Sequence, residues 1–290
     1  MASTNSETIG LLAIFRNESH ILKEFIDHYI RQGIDHFYLI NNASEDNFMP
    51  ILEEYSNIVT LKHEPYVGPT QTLELGGRQL EAYNEILPEV TTDWLYICDL
   101  DEFAYAREDS TIKSFINTWG KKFEQVLIPL KTFNSNGHIQ QPNSVIKSFT
   151  SRRGSEAYML YKPIVRTECI EKIKINYCTL KRGVTTNSSL TLFSDSFVTK
   201  EPRVDNLTVL NFRNVLDGRL EKSKVVSNHY TTQSKDWFYS VKATRGTATW
   251  HGGPKMDAIE WFSKMWERAH QNPVDDFELK NKYANVESRC

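Results

Sequence analysis

The chain contains no hydrophobic run long enough to cross a bilayer. A span needs roughly 20 consecutive apolar residues, and the longest such run, Ile9–Phe15, is the size of a strand. Residues 1–8 carry no basic stretch followed by an apolar one, so they do not form a signal peptide. Cysteine is scarce and unpatterned. Cys98, Cys169, Cys178 and Cys290 show no CxxC spacing, which favours reduced core residues over disulfides, and disulfides over a zinc site. Charge of either sign is not in excess: 34 Lys+Arg against 37 Asp+Glu leave a net −3. That balance removes the electrostatic footprint of a general nucleic-acid binder. No linker, repeat or low-complexity segment forces a domain boundary. Aromatic residues, by contrast, are plentiful (6 Trp, 13 Tyr, 15 Phe), which excludes intrinsic disorder. The 290 residues allow two domains at about 150 residues each, or one larger α/β unit. A chain this long buries roughly 75% of its unfolded surface and needs no disulfide framework.

The first half alternates strand and helix. The 8–15 run is continuously apolar, as a strand buried on both faces requires. Ile21, Leu22, Phe25, Ile26, Tyr29 and Ile30 then recur at helical spacing, and Gly33 is a natural C-terminal stop. Strands are predicted at 36–40, 58–62 and 93–98, with helices at 50–55 and 73–87, the last stopped by Pro88. Repeated βα units with short connections predict a mainly parallel, doubly wound sheet with right-handed crossovers. Ligands collect at the carboxyl ends of strands in such sheets. Three polar clusters fall there: Arg16-Asn17-Glu18, Asn41-Asn42 through Asp46, and Asp99–Glu102. The second half is less regular, with strand-like runs at 126–130, 159–165 and 190–198 and helices predicted at 231–241 and 258–270.

The segment Trp94-Leu95-Tyr96-Ile97-Cys98-Asp99-Leu100-Asp101-Glu102-Phe103 is the most informative. Two carboxylates at i and i+2 after a buried strand can both point at one hard cation. A divalent ion bridging two phosphates needs this arrangement, because it offsets charge building on a diphosphate leaving group. The bland alternative is a solvated acidic turn. Haloacid-dehalogenase-type phosphatases also place Asp-x-Asp after a strand, but they open the chain with it and follow it with Gly-Thr. Here Glu102-Phe103 follows, three βα units precede, and no apolar strand leads into Asp275-Asp276, which would have to supply the later acidic motif.

Five segments together resemble a GT-A-fold glycosyltransferase of the family-2-like and family-92-like group. Ile14-Phe15-Arg16-Asn17-Glu18 is similar to the first-strand signature that begins the nucleotide pocket. Tyr38 to Asp46 resembles the second-strand stretch, with Asn41 in place of the usual acid. Gln79-Leu80-Glu81-Ala82-Tyr83-Asn84 is similar to the helix before the metal strand, and Phe133-Asn134-Ser135-Asn136-Gly137-His138 to the acceptor-side loop. Asn228-His229-Tyr230-Thr231-Thr232-Gln233-Ser234-Lys235, with Lys242 and Arg245-Gly246 beyond, resembles the closing block. The resemblance runs from residue 9 to about 276. It implies one GT-A domain over 1–290, with a nucleotide-binding half near 8–130 and an acceptor-side half near 131–280. It also implies an enzyme that moves a sugar from a nucleotide sugar, by default a UDP-sugar, to a hydroxyl of an oligosaccharide or glycoprotein glycan. Mn²⁺ or Mg²⁺ would assist, and inversion is expected.

The residues admit that chemistry. An imidazole such as His229 can complete a metal shell begun by Asp99 and Asp101. Lys235 and Lys242 lie seven apart, two helical turns, so they are expected on one face, and with Arg245 they would suit a diphosphate. A solvated basic face is the alternative. Asn17 and Glu18 would read a nucleobase or ribose edge or cap the following helix, roles that are compatible. Arg16 and Asn42 belong to the same pocket edge. Asp46 would hold a ribose hydroxyl or serve as a turn residue, and Arg78 would reach the phosphates or face solvent. For the base that takes the acceptor proton, Asp195 is assigned, with Glu156 and Asp205 as alternatives. Trp237, Trp250, Trp261 and Trp266 offer a sugar platform, though core packing suits most of them better. Four Asn-x-Ser/Thr acceptor patterns begin at Asn17, Asn42, Asn187 and Asn206. Two fall at the expected pocket, where a glycan would block function, which favours a cytoplasmic chain. The lack of an anchor resembles soluble bacterial or large-virus members. A nucleotidyltransferase on the same sheet would need a glycine-rich first loop, which Arg16-Asn17-Glu18-Ser19 does not provide.

Overall fold

Strand β1 (Ile9–Phe15) runs through the middle of a parallel group because both its faces are apolar: six of its seven residues are buried. A computed structural model of the chain describes residues 6–65, 77–154, 160–188, 219–245 and 258–287. Helix α1 (Ser19–Arg31) follows, burying Ile21, Leu22, Phe25, Ile26, His28 and Tyr29. Ile30, expected on that face, is 41% exposed. Gly33 stands just past the helix at φ 87°, the left-handed geometry that only glycine adopts without strain. Strands β2 (His36–Asn42) and β3 (Val59–Glu64) flank α2 (Met49–Glu53), and α3 (Gly77–Ile86) leads through a short 3₁₀ turn to β4 (Trp94–Ile97). The pairs β1–β2, β2–β3 and β1–β4 are all parallel.

Strands β5 (Glu102–Ala106), β6 (Gln125–Thr132), β8 (Tyr161–Arg166) and β12 (Val225–His229) extend this sheet. The order is β3-β2-β1-β4-β8-β6-β12-β5, and β11 (Thr185–Asn187) also pairs with β6. β8 runs antiparallel to both of its neighbours, and β5 runs antiparallel to β12. The sheet is therefore mostly parallel in its first half and mixed in its second, a Rossmann-like GT-A arrangement. Adjacent strand residues enter opposite cores. Leu11 and Ala13 pack with α1 and α4 (Ile112–Trp119), while Leu12 packs with Leu80, Tyr83 and Ile86 of α3, as a doubly wound sheet requires.

After β6 come α5 (Val145–Ser148), β7 (Ser151–Arg153), β9 (Ile170–Ile173), β10 (Cys178–Leu180) and α6 (Arg219–Lys222). The helix expected at 231–241 begins later. Gln233 takes φ 45° and the Ser234 hydroxyl caps the run by accepting from Trp237 N–H at 3.2 Å. The run then comprises α7 (Lys235–Trp237), a π-turn (Phe238–Lys242) and α8 (Ala243–Arg245). Helix α9 (Ala258–Ala269), strand β13 (Pro273–Asp275) and helix α10 (Glu278–Glu287) close the chain. The strand expected at 190–198 lies outside the described residues. Among them, no helix is long and apolar enough to cross a membrane.

Candidate active site

The acidic turn sits at the carboxyl end of β4, and β5 begins on its last residue, Glu102. Its shape is set by reciprocal bonds: Glu102 N–H donates to the Asp99 carbonyl at 3.1 Å, and Asp99 N–H donates to Glu102 Oε2 at 3.0 Å. β12 then pairs antiparallel with β5 so that His229 stands opposite Glu102, and Tyr230 N–H donates to the Asp101 carbonyl at 2.8 Å. Strand register therefore brings the imidazole to a turn about 130 residues away in sequence. Ligand atoms of Asp101, Glu102 and His229 all lie within 4.8 Å of one another.

Two lysines enter the same cluster. Lys162 of β8 donates to Asp99 Oδ2 at 2.8 Å and lies 3.5 Å from Glu102 Oε1. Lys242, at the end of the π-turn, donates to Asp101 Oδ2 at 2.6 Å and to the Thr231 carbonyl at 2.8 Å. His229 Nε2 is 3.4 Å from Asp101 Oδ1. Asp99 Oδ1 accepts from Gln79 Nε2 at 2.9 Å. The three carboxylates differ in access, since the Asp99 side chain is 38% exposed while those of Asp101 and Glu102 are 5% and 1% exposed.

Their proton affinities diverge for stated reasons. Burial pushes the Asp101 carboxyl up, but Lys242 and His229 outweigh it and hold it well below the usual carboxylate range. Burial also opposes ionised Asp99, and Lys162 again wins, so Asp99 lies low. For Glu102 burial prevails over Lys162 and is reinforced by Asp99, and its pKa rises to about 7. Burial lowers His229, yet Asp101 more than restores it, leaving it above its ordinary value.

The structure distributes the expected site residues unevenly. Asp101 and His229 meet as expected, with Glu102 as the third member of the cluster; Asp99 stands beside it, engaged by Lys162 and Gln79. Lys235 and Lys242 do not share a face, because the intervening π-turn has more residues per turn than the α-helix assumed for them. Lys235 is exposed, and Lys242 is buried against Asp101. Arg245 ends the run, with its side chain outside what is described. Arg78 is engaged in an ion network with Glu64, Glu81 and Glu85. Asp195, Glu156 and Asp205 lie outside the described residues, as does Trp250.

The two N-terminal polar clusters are stapled together. Asn17, at φ 53°, donates through its N–H to Ser44 Oγ at 3.0 Å and accepts from Glu45 N–H at 2.8 Å. Asp46 Oδ2 accepts from Ser19 N–H at 2.7 Å, capping α1 from the neighbouring loop, while Asp46 Oδ1 is buried with no hydrogen-bond partner. Arg16 lies 3.8 Å from Glu45, Glu18 is buried, and Asn42 pairs in register with Glu64. Asn41 is a structural residue, accepting from Ser44 N–H at 2.8 Å and lying 3.1 Å from His63 Nδ1.

Sequence reasoning missed Lys162, and it gave Glu102 no role. Each leads into a buried apolar run, Lys162 into Pro163-Ile164-Val165 and Glu102 into Phe103-Ala104-Tyr105-Ala106. An ionisable residue within a wholly buried strand needs a partner, and that signal was available.

A family model described as Glycosyltransferase family 92 matches residues 12–281. No curated protein matches the chain. Similar solved structures include S. aureus TarS 1-349, 15% identical over 56% of this chain and 48% of that one with a TM-score of 0.34. Its complex with UDP is 16% identical over 56% and 47%, with a TM-score of 0.37. HddC from Yersinia pseudotuberculosis is 10% identical over 62% and 90%, with a TM-score of 0.33. The chain spans about half the length of the TarS 1-349 structures it matches.

Proposed function

The chain belongs to glycosyltransferase family 92, and on that footing we propose that it transfers a glycosyl group from a UDP-sugar to a hydroxyl of an oligosaccharide or glycoprotein glycan, with inversion and with help from Mn²⁺ or Mg²⁺. The observation that carries this reading is the Asp101–Glu102–His229 cluster at the carboxyl edge of the sheet. Its donors are two carboxylates and an imidazole, a set that suits a first-row divalent ion. Glu102 Oε1 is buried without a hydrogen-bond partner, an acceptor left for a cation. These three residues would hold the ion, which supplies positive charge for the departing diphosphate.

The chain's own groups do the rest. Asp101 ionises at any physiological pH because Lys242 and His229 stabilise its charge. Lys242 and Arg245 from the same run provide cations for the diphosphate, while Lys235, exposed and on a different face, is left out of that set. Asp99, the most open of the acids, keeps a solvent-facing edge for a hydroxyl of the donor while Lys162 and Gln79 fix its orientation. Asp46 Oδ1 accepts a ribose hydroxyl while Oδ2 caps α1, and Arg16, Asn17, Glu18 and Asn42 complete that edge. The acceptor proton goes to Asp195, with Glu156 and Asp205 as alternatives. Cys98, Cys169 and Cys178 are free and buried, which suits a reducing cytoplasm.

Incubation with Mn²⁺ and a panel of nucleotide sugars, with and without saccharide acceptors, tests the proposal by nucleoside diphosphate release. UDP release from one donor that disappears in the Asp99→Ala/Asp101→Ala double variant supports it. No release from any donor, or release surviving in that variant, overturns it.

A further inference from the structure

Asp99, Asp101 and Glu102 face Lys162 and Lys242, so the chain itself compensates most of the anionic charge of its own site. The two lysines are held differently. Lys162 lies on β8, which is paired on both sides within the sheet. Lys242 is brought in from outside the sheet by the last residue of a π-turn, a feature that recurs where helices change register at functional sites. Its ammonium is anchored by two bonds, to Asp101 Oδ2 at 2.6 Å and to the Thr231 carbonyl at 2.8 Å. Asp101 is also one of the three residues able to hold a divalent ion. One carboxylate thus serves two cations, and in a site where Asp101 is only 5% exposed their mutual repulsion is poorly screened.

We propose that Lys242 is a resident counter-cation: it holds Asp101 in place while the site lacks its divalent ion, and it moves its ammonium to the donor's diphosphate when that ion is held. Lys242 then holds a carboxylate in the empty site and a diphosphate in the filled one, and the consequence is that ion and nucleotide bind in mutual dependence. Each strengthens the other by the same factor, since coupling between two ligands is reciprocal. The inference rests on the metal-assisted reading above.

Titrating Mn²⁺ into the protein with and without saturating UDP, followed by electron paramagnetic resonance of the free ion, tests it. Wild type is expected to bind Mn²⁺ weakly alone and about tenfold or more tighter with UDP. Lys242→Met is expected to bind Mn²⁺ alone about tenfold tighter than wild type, with most of the UDP-linked gain gone, and Lys242→Arg to keep the wild-type pattern. Unchanged Mn²⁺ affinity in Lys242→Met with weaker UDP binding would overturn the proposal and leave Lys242 a simple diphosphate contact. Equal Mn²⁺ affinity of wild type with and without UDP would overturn it without any variant, which covers a Lys242→Met protein that fails to fold. Mn²⁺ bound by neither protein under any condition would sink the metal-assisted reading, and this inference with it.

Discussion

Two ion clusters, each built around buried lysine, stand on the same sheet, and they are built to opposite standards. At the C-terminal side, Lys131 of β6 is fully buried and donates to Tyr105 Oη at 2.7 Å, Asp276 Oδ2 at 2.9 Å and Glu278 Oε2 at 3.3 Å. Arg152 donates to the same Asp276 at 2.8 Å, and Arg107 grips Glu278 with two bonds of 2.7 and 2.9 Å. Every acid there is hydrogen-bonded to a cation. At the acidic turn, by contrast, Glu102 Oε1 makes no hydrogen bond, with Lys162 standing off at 3.5 Å, and burial raises the carboxyl's pKa to about 7. A satisfied cluster clamps α10 onto the fold, whereas a partly satisfied one keeps unspent affinity for something not yet bound. Incomplete pairing separates a site from a staple better than the number of charges does.

The contrast can be broken experimentally. The largest effect is expected from Lys131→Met, which removes the buried ammonium shared by Tyr105, Asp276 and Glu278, although Asp276 keeps Arg152 and Glu278 keeps Arg107. It should cost about 2–3 kcal/mol of stability in denaturant unfolding, the size of lost hydrogen bonds to a charged group, while the folded fraction keeps its donor affinity. Asp101→Asn should do the reverse in kind, lowering kcat for UDP release by about 100-fold or more. An Asp101→Asn enzyme with full turnover would show that the acidic turn is a second staple.

Glu102→Gln sharpens the difference further. Glu102 is raised from 4.5 to about 7 on folding, so the folded protein binds the proton more tightly. Stability from this group is complete below pH 4.5 and is lost as pH rises through 7. The Gln variant should therefore gain about 1 kcal/mol at pH 8 and lose that part of the pH slope, at the expense of activity. Melting curves from pH 5 to 8 check this. The smallest effect is expected from Arg78→Ala. Glu81 and Glu85 are exposed and buried Glu64 keeps Lys62, so stability should shift by about 1 kcal/mol or less. Donor KM should stay within about twofold; a larger rise would return Arg78 to the phosphates.

Much of the first half was legible because local patterns decide it. The apolar run of β1 and the 3.6-residue recurrence in α1 each require only neighbours in sequence, and the turn after β4 was placed within a residue. Glu102 illustrates what escaped. It reads as the tail of an acidic turn, yet it opens β5, whose partner is β12 rather than β4. Lys242 escaped for a different reason. Seven-residue spacing implies one helical face only if every turn is α, and Phe238–Lys242 is a π-turn. Asp276, considered as the later acid of a phosphatase motif, proves to be a partner of Lys131 and Arg152.

The sequence by itself determined the alternating βα order, the polar clusters at strand ends and the candidacy of Asp99, Asp101 and His229. These follow from periodicity, from turn chemistry, and from a resemblance carried by short motifs. Only the tertiary structure decided which acids converge with His229, and which lysines neutralise them. Those choices depend on pairing between β12 and β5 and between β8 and β4, contacts between residues 68 to 127 apart, and on the π-turn that carries Lys242. Burial then assigns each carboxyl its charge, because desolvation and the nearest ammonium compete over a few ångströms that no linear spacing encodes.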